Sequence, residues 1–258
     1  MKHNLIAALV AKIPPQYAQR LMASLATRFS APVRHSEPSI ILSADDDAGP
    51  SEWLLRTVVE AITHAMDNDL AALARDHAGK PGAEFYDIFP GEHYRLLASL
   101  AATLCPKTIV EIGTYTGLSA ACLLQAMSEG STLVSFDITP WHAFDSHLTS
   151  EPFAEGRIVQ HLADLSDPVV FDDHLPLLNQ AGMIFCDAPK DGHFEIALLR
   201  NLAKLSPSAS RLFIFDDTRQ LNMIDVWRRV GSPKMDATSF GHWTGTGLID
   251  ARDPMRLK

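Results

Sequence analysis

The sequence predicts an α/β chain on a doubly wound, mostly parallel sheet, and three observations carry that reading. From Gly91 onward, short β-branched and aromatic runs alternate with stretches of helical periodicity, the pattern of strands joined by crossover helices. One of those runs, Thr108-Ile-Val-Glu-Ile112, leads straight into a turn with glycines at 113 and 117 and then into a helix. Acidic residues recur where the strands end, at Asp137, Asp187, Asp216 and Asp217. With 47% hydrophobic and 21% charged residues among 258, the chain has the material for a sizeable core and not the composition of a disordered one.

Taken in order, residues 1–82 form an N-terminal helical extension. Leu5, Ile6, Leu9, Val10 and Ile13 recur at helical spacing, as do Leu54, Leu55, Val58, Val59 and Ile62. Polar breaker clusters at Ser43–Pro50 and Gly79–Gly82 punctuate it. The extension is expected to act as a cap, a lid or a contact in a homodimer. Residues 83–258 make the second unit. A helix over His93–Leu104 precedes the first strand, and a second helix follows over Leu118–Met127. Further strands are expected at Thr132–Phe136, Ile158–His161, Met183–Cys186 and Arg211–Phe215, and a helix near Met223–Val230. The stretch Met235–Asp250 holds two strand-like runs around a glycine-rich centre and suits a closing antiparallel hairpin.

The balance of charge excludes some functions. A net charge of −9 with no long Lys/Arg run gives no field for phosphate backbones, so nucleic acid is not an expected partner. No run approaches the ~18 apolar residues of a membrane span, so no membrane partner is expected. Cys105, Cys122 and Cys186 form no C-x-x-C pair and sit in apolar stretches, which favours a reducing compartment. The apolar run Leu5–Val10 is a poor leader because Lys12 and Pro14-Pro15 interrupt it. A cytoplasmic protein is the expectation.

The glycine turn is the most informative segment. A buried strand ending in Glu111 and Ile112 turns through Gly113 and Gly117 into a helix whose free N–H groups can hold an anionic group. Ser119 is placed to donate its hydroxyl to a ligand carboxylate. The next strand ends at Asp137, about 20 residues past Gly117, where an acid in this architecture accepts hydrogen bonds from ribose hydroxyls. The dinucleotide fingerprint G-x-G-x-x-G is missing, since the only G-x-G is Gly245-Thr-Gly247 near the C-terminus. A nicotinamide enzyme is the weaker reading.

The carboxyl ends of neighbouring parallel strands face one crevice, so Asp187, Asp216 and Asp217 converge there. Three carboxylates in a small volume repel one another unless a cation intervenes, and hard oxygen ligands suit Mg²⁺, Mn²⁺ or Ca²⁺. The competing reading is that Asp216 and Asp217 cap the following helix. His193 is a candidate base because imidazole titrates near neutrality. His242 and Trp243 fit either the border of an acceptor pocket or the core, and are left out of the catalytic set.

The segment Glu111-Ile-Gly113-Thr-Tyr115-Thr-Gly117-Leu-Ser119 resembles the first motif of class I S-adenosylmethionine-dependent methyltransferases, most closely the metal-dependent O-methyltransferases of the catechol and caffeoyl-CoA type. The resemblance runs from about Gly91 to Val230 and leaves the N-terminal residues unmatched. It implies a Rossmann-like fold that binds S-adenosylmethionine through Glu111, Gly113, Tyr115, Gly117, Ser119, Asp137 and Asp187, with Asp164 near the adenine amino group. It also implies a metal held by Asp187, Asp216 and Asp217, with Lys190 as base, through the family's Asp-x-x-Lys and Asp-Asn motifs. Two positions depart from the family: Asp217 stands where it has an amide, and Pro189 where the caffeoyl-CoA type has Asp. The implied activity is O-methylation of a small-molecule hydroxyl. Two alternatives stay open: a metal-independent N- or O-methyltransferase with a histidine base, and a non-catalytic S-adenosylmethionine-binding module.

Overall fold

The computed structural model describes residues 48–258, with Asn222 excepted. The helix expected from Leu5 to Ile13 and the apolar run beside it lie outside the described residues.

Seven strands form one sheet in the order β3-β2-β1-β4-β5-β7-β6. These are β1 (Thr108–Ile112), β2 (Thr132–Asp137), β3 (Ile158–Leu162), β4 (Met183–Cys186), β5 (Leu212–Asp216), β6 (Lys234–Asp236) and β7 (Thr246–Asp250). The first five are parallel. β7 runs antiparallel to β5 and pairs with β6, so the expected closing hairpin is present, with its second strand inserted between β5 and β6. Strand order reverses between β1 and β4, which opens a crevice at their carboxyl ends.

Both faces of the sheet are covered. Ile109, Leu133, Phe185, Ile214 and Leu248 point into one hydrophobic layer; Val110, Val134, Ile184, Phe213 and Ile249 point into the other. That alternation is the period-2 geometry of a strand, and burial on both faces is why these strands read as unbroken apolar runs. The first layer is closed by α1 (Glu52–Asp67), by α2 (Ala71–Asp76) and by α3 (Tyr94–Leu104), together with α4 (Leu118–Ala126). In α1, Ser51 caps the N-terminus by accepting from the Leu54 amide at 3.1 Å, and Leu54, Val58, Ala61 and Ala65 recur along one buried stripe. This stripe packs on α3, so the described part of the N-terminal segment shares the core of the sheet.

The short helix α5 (Ser150–Ala154) precedes β3. The opposite layer is covered by α6 (Pro168–Leu178), α7 (His193–Leu202) and α8 (Met223–Arg229). One boundary differs in a way that matters. Arg211 lies outside β5, its buried guanidinium donating to the carbonyls of Asn179, Ala181 and Ser206, whereas Asp216 is the last strand residue. The helix after it does not begin until Met223, so Asp216 and Asp217 are not its N-cap. Among the described residues, no helix is long and apolar enough to cross a membrane.

Candidate active site

The turn after β1 is built from left-handed backbone. Gly113, Tyr115 and Gly117 have φ of 99°, 44° and 80°. At Gly113 the reason for glycine is a close approach: a Cβ there would lie 2.1 Å from the carbonyl oxygen of Asp187. The end of β1 is thus pressed against the end of β4 across the switch point. Asp137, the last residue of β2, ties the turn down by accepting from the Tyr115 amide through Oδ2 and from the Thr139 amide through Oδ1, each at 2.9 Å. Each carboxylate oxygen keeps a second lone pair for a ligand hydroxyl.

Glu111 is fully buried below this turn. Ser119 donates to its Oε1 at 2.5 Å and Ser135 donates to its Oε2. Burial pushes the Glu111 carboxyl up to about 7, although both hydroxyls favour its charged form. The hydroxyl of Ser119, expected to donate to a carboxylate, here donates to that of Glu111. Asp164 is exposed on the loop after β3, accepting from the Ser166 amide at 2.8 Å as a turn residue does.

Across the crevice the acids converge, and they meet cations. Lys190, itself at φ 61°, places Nζ against Asp187 Oδ1 and 2.8 Å from Asp217 Oδ2. Its loop is pinned from behind by buried Glu195, whose carboxylate accepts from the amides of Lys190 and Gly192 at 2.8 Å each. Burial alone would lower the Lys190 pKa, but the charges of Asp187, Asp217 and Asp216 outweigh it and hold the amine well above its ordinary value. The lysine expected as a base is, in this arrangement, ion-paired to both Asp187 and Asp217. His193, the other candidate, is exposed at the start of α7, and no ion pair, ring contact or side-chain hydrogen bond joins it to the cluster.

Asp216 and Asp217 are both buried. His242 Nδ1 lies 3.2 Å from Asp216 Oδ2 and 3.4 Å from Asp217 Oδ1, while the Thr244 hydroxyl donates to Asp217 Oδ1. Burial disfavours charge on His242, yet hydrogen bonds to Asp216 and Asp217 push its pKa up to about 11. Asp217 moves the other way: burial would raise it, but His242 and Lys190 hold it well below the carboxylate range. Asp216 is raised, chiefly by burial and by the neighbouring charge of Asp217. The three aspartates expected to hold a metal are thus brought to one place and compensated there by Lys190 and His242. An ammonium lies between Asp187 and Asp217, and the close-set ligand groups among the described residues are Asp216–Asp217–His242 and Glu92–His93–His242, neither including Asp187.

Glu92 and His93 are residues that sequence reasoning missed, and His242 is one it set aside. The segment from Gly91 docks beside the His242 loop through Gly91 N–H to Gly241 O at 3.2 Å and Trp243 N–H to Gly91 O at 3.0 Å. The available signal was a histidine next to an acid just before a helix, and a second histidine in a glycine-rich loop.

A protein-family model described as a methyltransferase domain matches residues 110–218, the span from β1 to just past β5. A protein of Mycobacterium sp. (strain KMS) named "Putative O-methyltransferase" is 30% identical over 151 residues, 52% of this chain and 66% of that protein. One of the same name from Mycolicibacterium vanbaalenii is 30% identical over 135 residues, 46% of this chain and 57% of that protein. The chain thus spans about two thirds or less of the length of these curated relatives. A crystal structure from Corynebacterium glutamicum aligns at 19% identity with a TM-score of 0.47, covering 76% of this chain and 95% of that one.

Proposed function

We propose that this chain, whose residues 110–218 match a methyltransferase-domain model, is a class I S-adenosylmethionine-dependent methyltransferase that transfers the cofactor's methyl group to a hydroxyl of a small molecule. The observation that carries the reading is the contact between Gly113 and the Asp187 carbonyl, which joins the glycine turn to the acidic end of β4. A cofactor with its methionyl part on that turn and its ribose on Asp137 has its sulfonium at the edge of the acidic cluster. The names of the mycobacterial relatives favour oxygen as the acceptor atom.

The chain's own residues supply orientation and charge. Tyr115, Asp137 and Gly117 fix the turn, and α4 begins directly behind it. Lys190 and Glu195 hold the Asp187 loop, so that Asp187 Oδ1 is engaged while Oδ2 stays open to an acceptor hydroxyl. As the new O–CH₃ bond forms, the S–CH₃ bond breaks and its electron pair stays on sulfur, leaving S-adenosylhomocysteine. The hydroxyl proton passes to Asp187 Oδ2 or to water. Positioning and a preorganised field account for most of what such a site contributes, since methyl transfer asks little covalent help of the protein. No step is assigned to a metal on the three aspartates.

The test is a calorimetric titration with S-adenosylhomocysteine, followed by mass spectrometry of hydroxyl and amine acceptors incubated with S-adenosylmethionine. Saturable binding and the gain of one methyl group on hydroxyl acceptors are expected. Absence of cofactor binding defeats the whole reading, and methylation confined to amines defeats the choice of oxygen.

A further inference from the structure

The Glu92–His93–His242 group sits beside the acidic cluster but is built differently from it. His93 is 3% exposed, and neither of its ring nitrogens has a hydrogen-bond partner; Asp216 Oδ1, in a residue 2% exposed, is also unpartnered. A buried imidazole with two unmet nitrogens is costly unless something takes them up. The two histidines are arranged alike with respect to Asp216. His93 Nδ1 lies 3.5 Å from its Oδ1 and His242 Nδ1 lies 3.2 Å from its Oδ2. With Nδ1 turned to one carboxylate in both rings, Nε2 is the nitrogen each has left. His242 Nε2 is 3.5 Å from Glu92 Oε2, and one ligand atom from each of Glu92, His93 and His242 lies within 4.8 Å of the others.

We propose that Glu92 and the Nε2 atoms of His93 and His242 bind a divalent transition-metal ion, which displaces the Nε2 proton of His242 to solvent, with Asp216 orienting both imidazoles from behind. Histidine ligands that turn the other ring N–H to a carboxylate are the usual construction of such sites, because the carboxylate fixes the ring and raises its basicity. Two imidazoles with one carboxylate select zinc, cobalt, iron or manganese over magnesium or calcium, which take oxygen. The 3.5 Å between His242 Nε2 and Glu92 Oε2 is close to the ~3.4 Å edge of a tetrahedron with bonds of ~2.1 Å. Three protein ligands leave a further position for water or a substrate oxygen. In the Asp216–Asp217–His242 group, by contrast, Thr244 and Lys190 already engage Asp217 and His242 Nδ1 engages Asp216 Oδ2, so only Asp216 Oδ1 is left without a partner.

The proposal is tested without cofactor or acceptor, so its failure leaves the methyl-transfer reading standing. The full chain is stripped with a chelator, dialysed and titrated with Co²⁺, following visible absorption and bound metal by mass spectrometry. One Co²⁺ per chain is expected, displaced by equimolar Zn²⁺ and not by equimolar Mg²⁺. Glu92→Gln and His93→Gln should abolish stoichiometric binding, Asp216→Asn should weaken it roughly tenfold to a hundredfold, and Asp187→Asn should leave it unchanged. Thermal unfolding is recorded for each variant. If His93→Gln does not fold, Glu92→Gln decides, because it keeps the shape of the side chain and removes only its charge. Failure of the wild-type chain to take up cobalt overturns the site. So does binding that survives Glu92→Gln or His93→Gln but is lost in Asp187→Asn, which would move the ion to the aspartates.

Discussion

The two sides of the crevice solve their electrostatics in opposite ways. On the β1–β2 side, Glu111 is surrounded by hydroxyls and Asp137 by backbone amides, so the polar groups are satisfied by neutral donors. On the β4–β5 side, Asp187, Asp216 and Asp217 are held by Lys190 and His242, charge against charge. The neutral side is assembled from two neighbouring strands, β1 and β2, and the turn between β1 and α4. The charged side draws on segments near residues 92, 187, 216 and 242, so it exists only when the sheet is complete. The comparison teaches that the first side is a preformed cradle and the second a network in which removing one member exposes the others.

The largest expected effect is on the charged side. Lys190→Met keeps the length of the side chain and deletes the charge between Asp187 and Asp217. Breaking a buried ion pair by removing one partner costs about 3–5 kcal/mol, and the lower end applies because the Asp187 side chain is 31% exposed. Chemical denaturation should show that loss at neutral pH, with much of it recovered in Lys190→Met/Asp217→Asn. If the single variant is as stable as the wild type, the aspartates are compensated by something other than Lys190 and the contrast between the two sides fails.

The same contrast explains what was legible in the sequence. Strands β1, β2, β4 and β5 read clearly because burial on both faces writes largely apolar runs, and the glycine turn reads clearly because its glycine spacing is local in sequence. The spacing of Asp187 and Lys190 places them near each other in the loop after β4. It carries no sign that Asp217, just past β5, shares the same ammonium and adds to the charge of Asp187 that holds the lysine pKa up. Glu92 and His93 were hidden for a related reason. They lie some 150 residues from His242, and only the pairing of Gly91 with the His242 loop brings them together. Ser119 was legible as a hydroxyl at the helix start, but the acceptor it chose, Glu111, lies eight residues back on the strand.

A smaller effect is expected on the cradle side. Asp137→Ala removes the proposed ribose acceptor together with the anchor of the Tyr115 and Thr139 amides. Loss of a hydrogen bond to a charged group costs about 1.5–3 kcal/mol, roughly tenfold to over a hundredfold in affinity for S-adenosylhomocysteine by calorimetry. Unchanged affinity would take Asp137 out of the cofactor site. Gly113 is a poorer probe, because an added Cβ meets the Asp187 carbonyl whether or not a cofactor is bound.

The smallest expected effect sharpens the comparison through pH. Glu111 has its carboxyl raised to about 7 by burial, above the ~4.3 of an unfolded glutamate. Between those values the folded chain binds more protons than the unfolded one, so stability falls as pH rises. The contribution is fully present below the unfolded pKa and is lost as pH passes through about 7. Between pH 6 and 8 it amounts to something of the order of 1 kcal/mol. Glu111→Gln keeps the shape, cannot ionise, and should flatten that part of the stability profile in urea titrations, while Lys190→Met should leave it in place. If the two profiles are parallel between pH 6 and 8, Glu111 is already charged in the folded chain, and the hydroxyls of Ser119 and Ser135 stabilise its carboxylate more than burial opposes it. The cradle would then carry a buried charge, as the opposite side does.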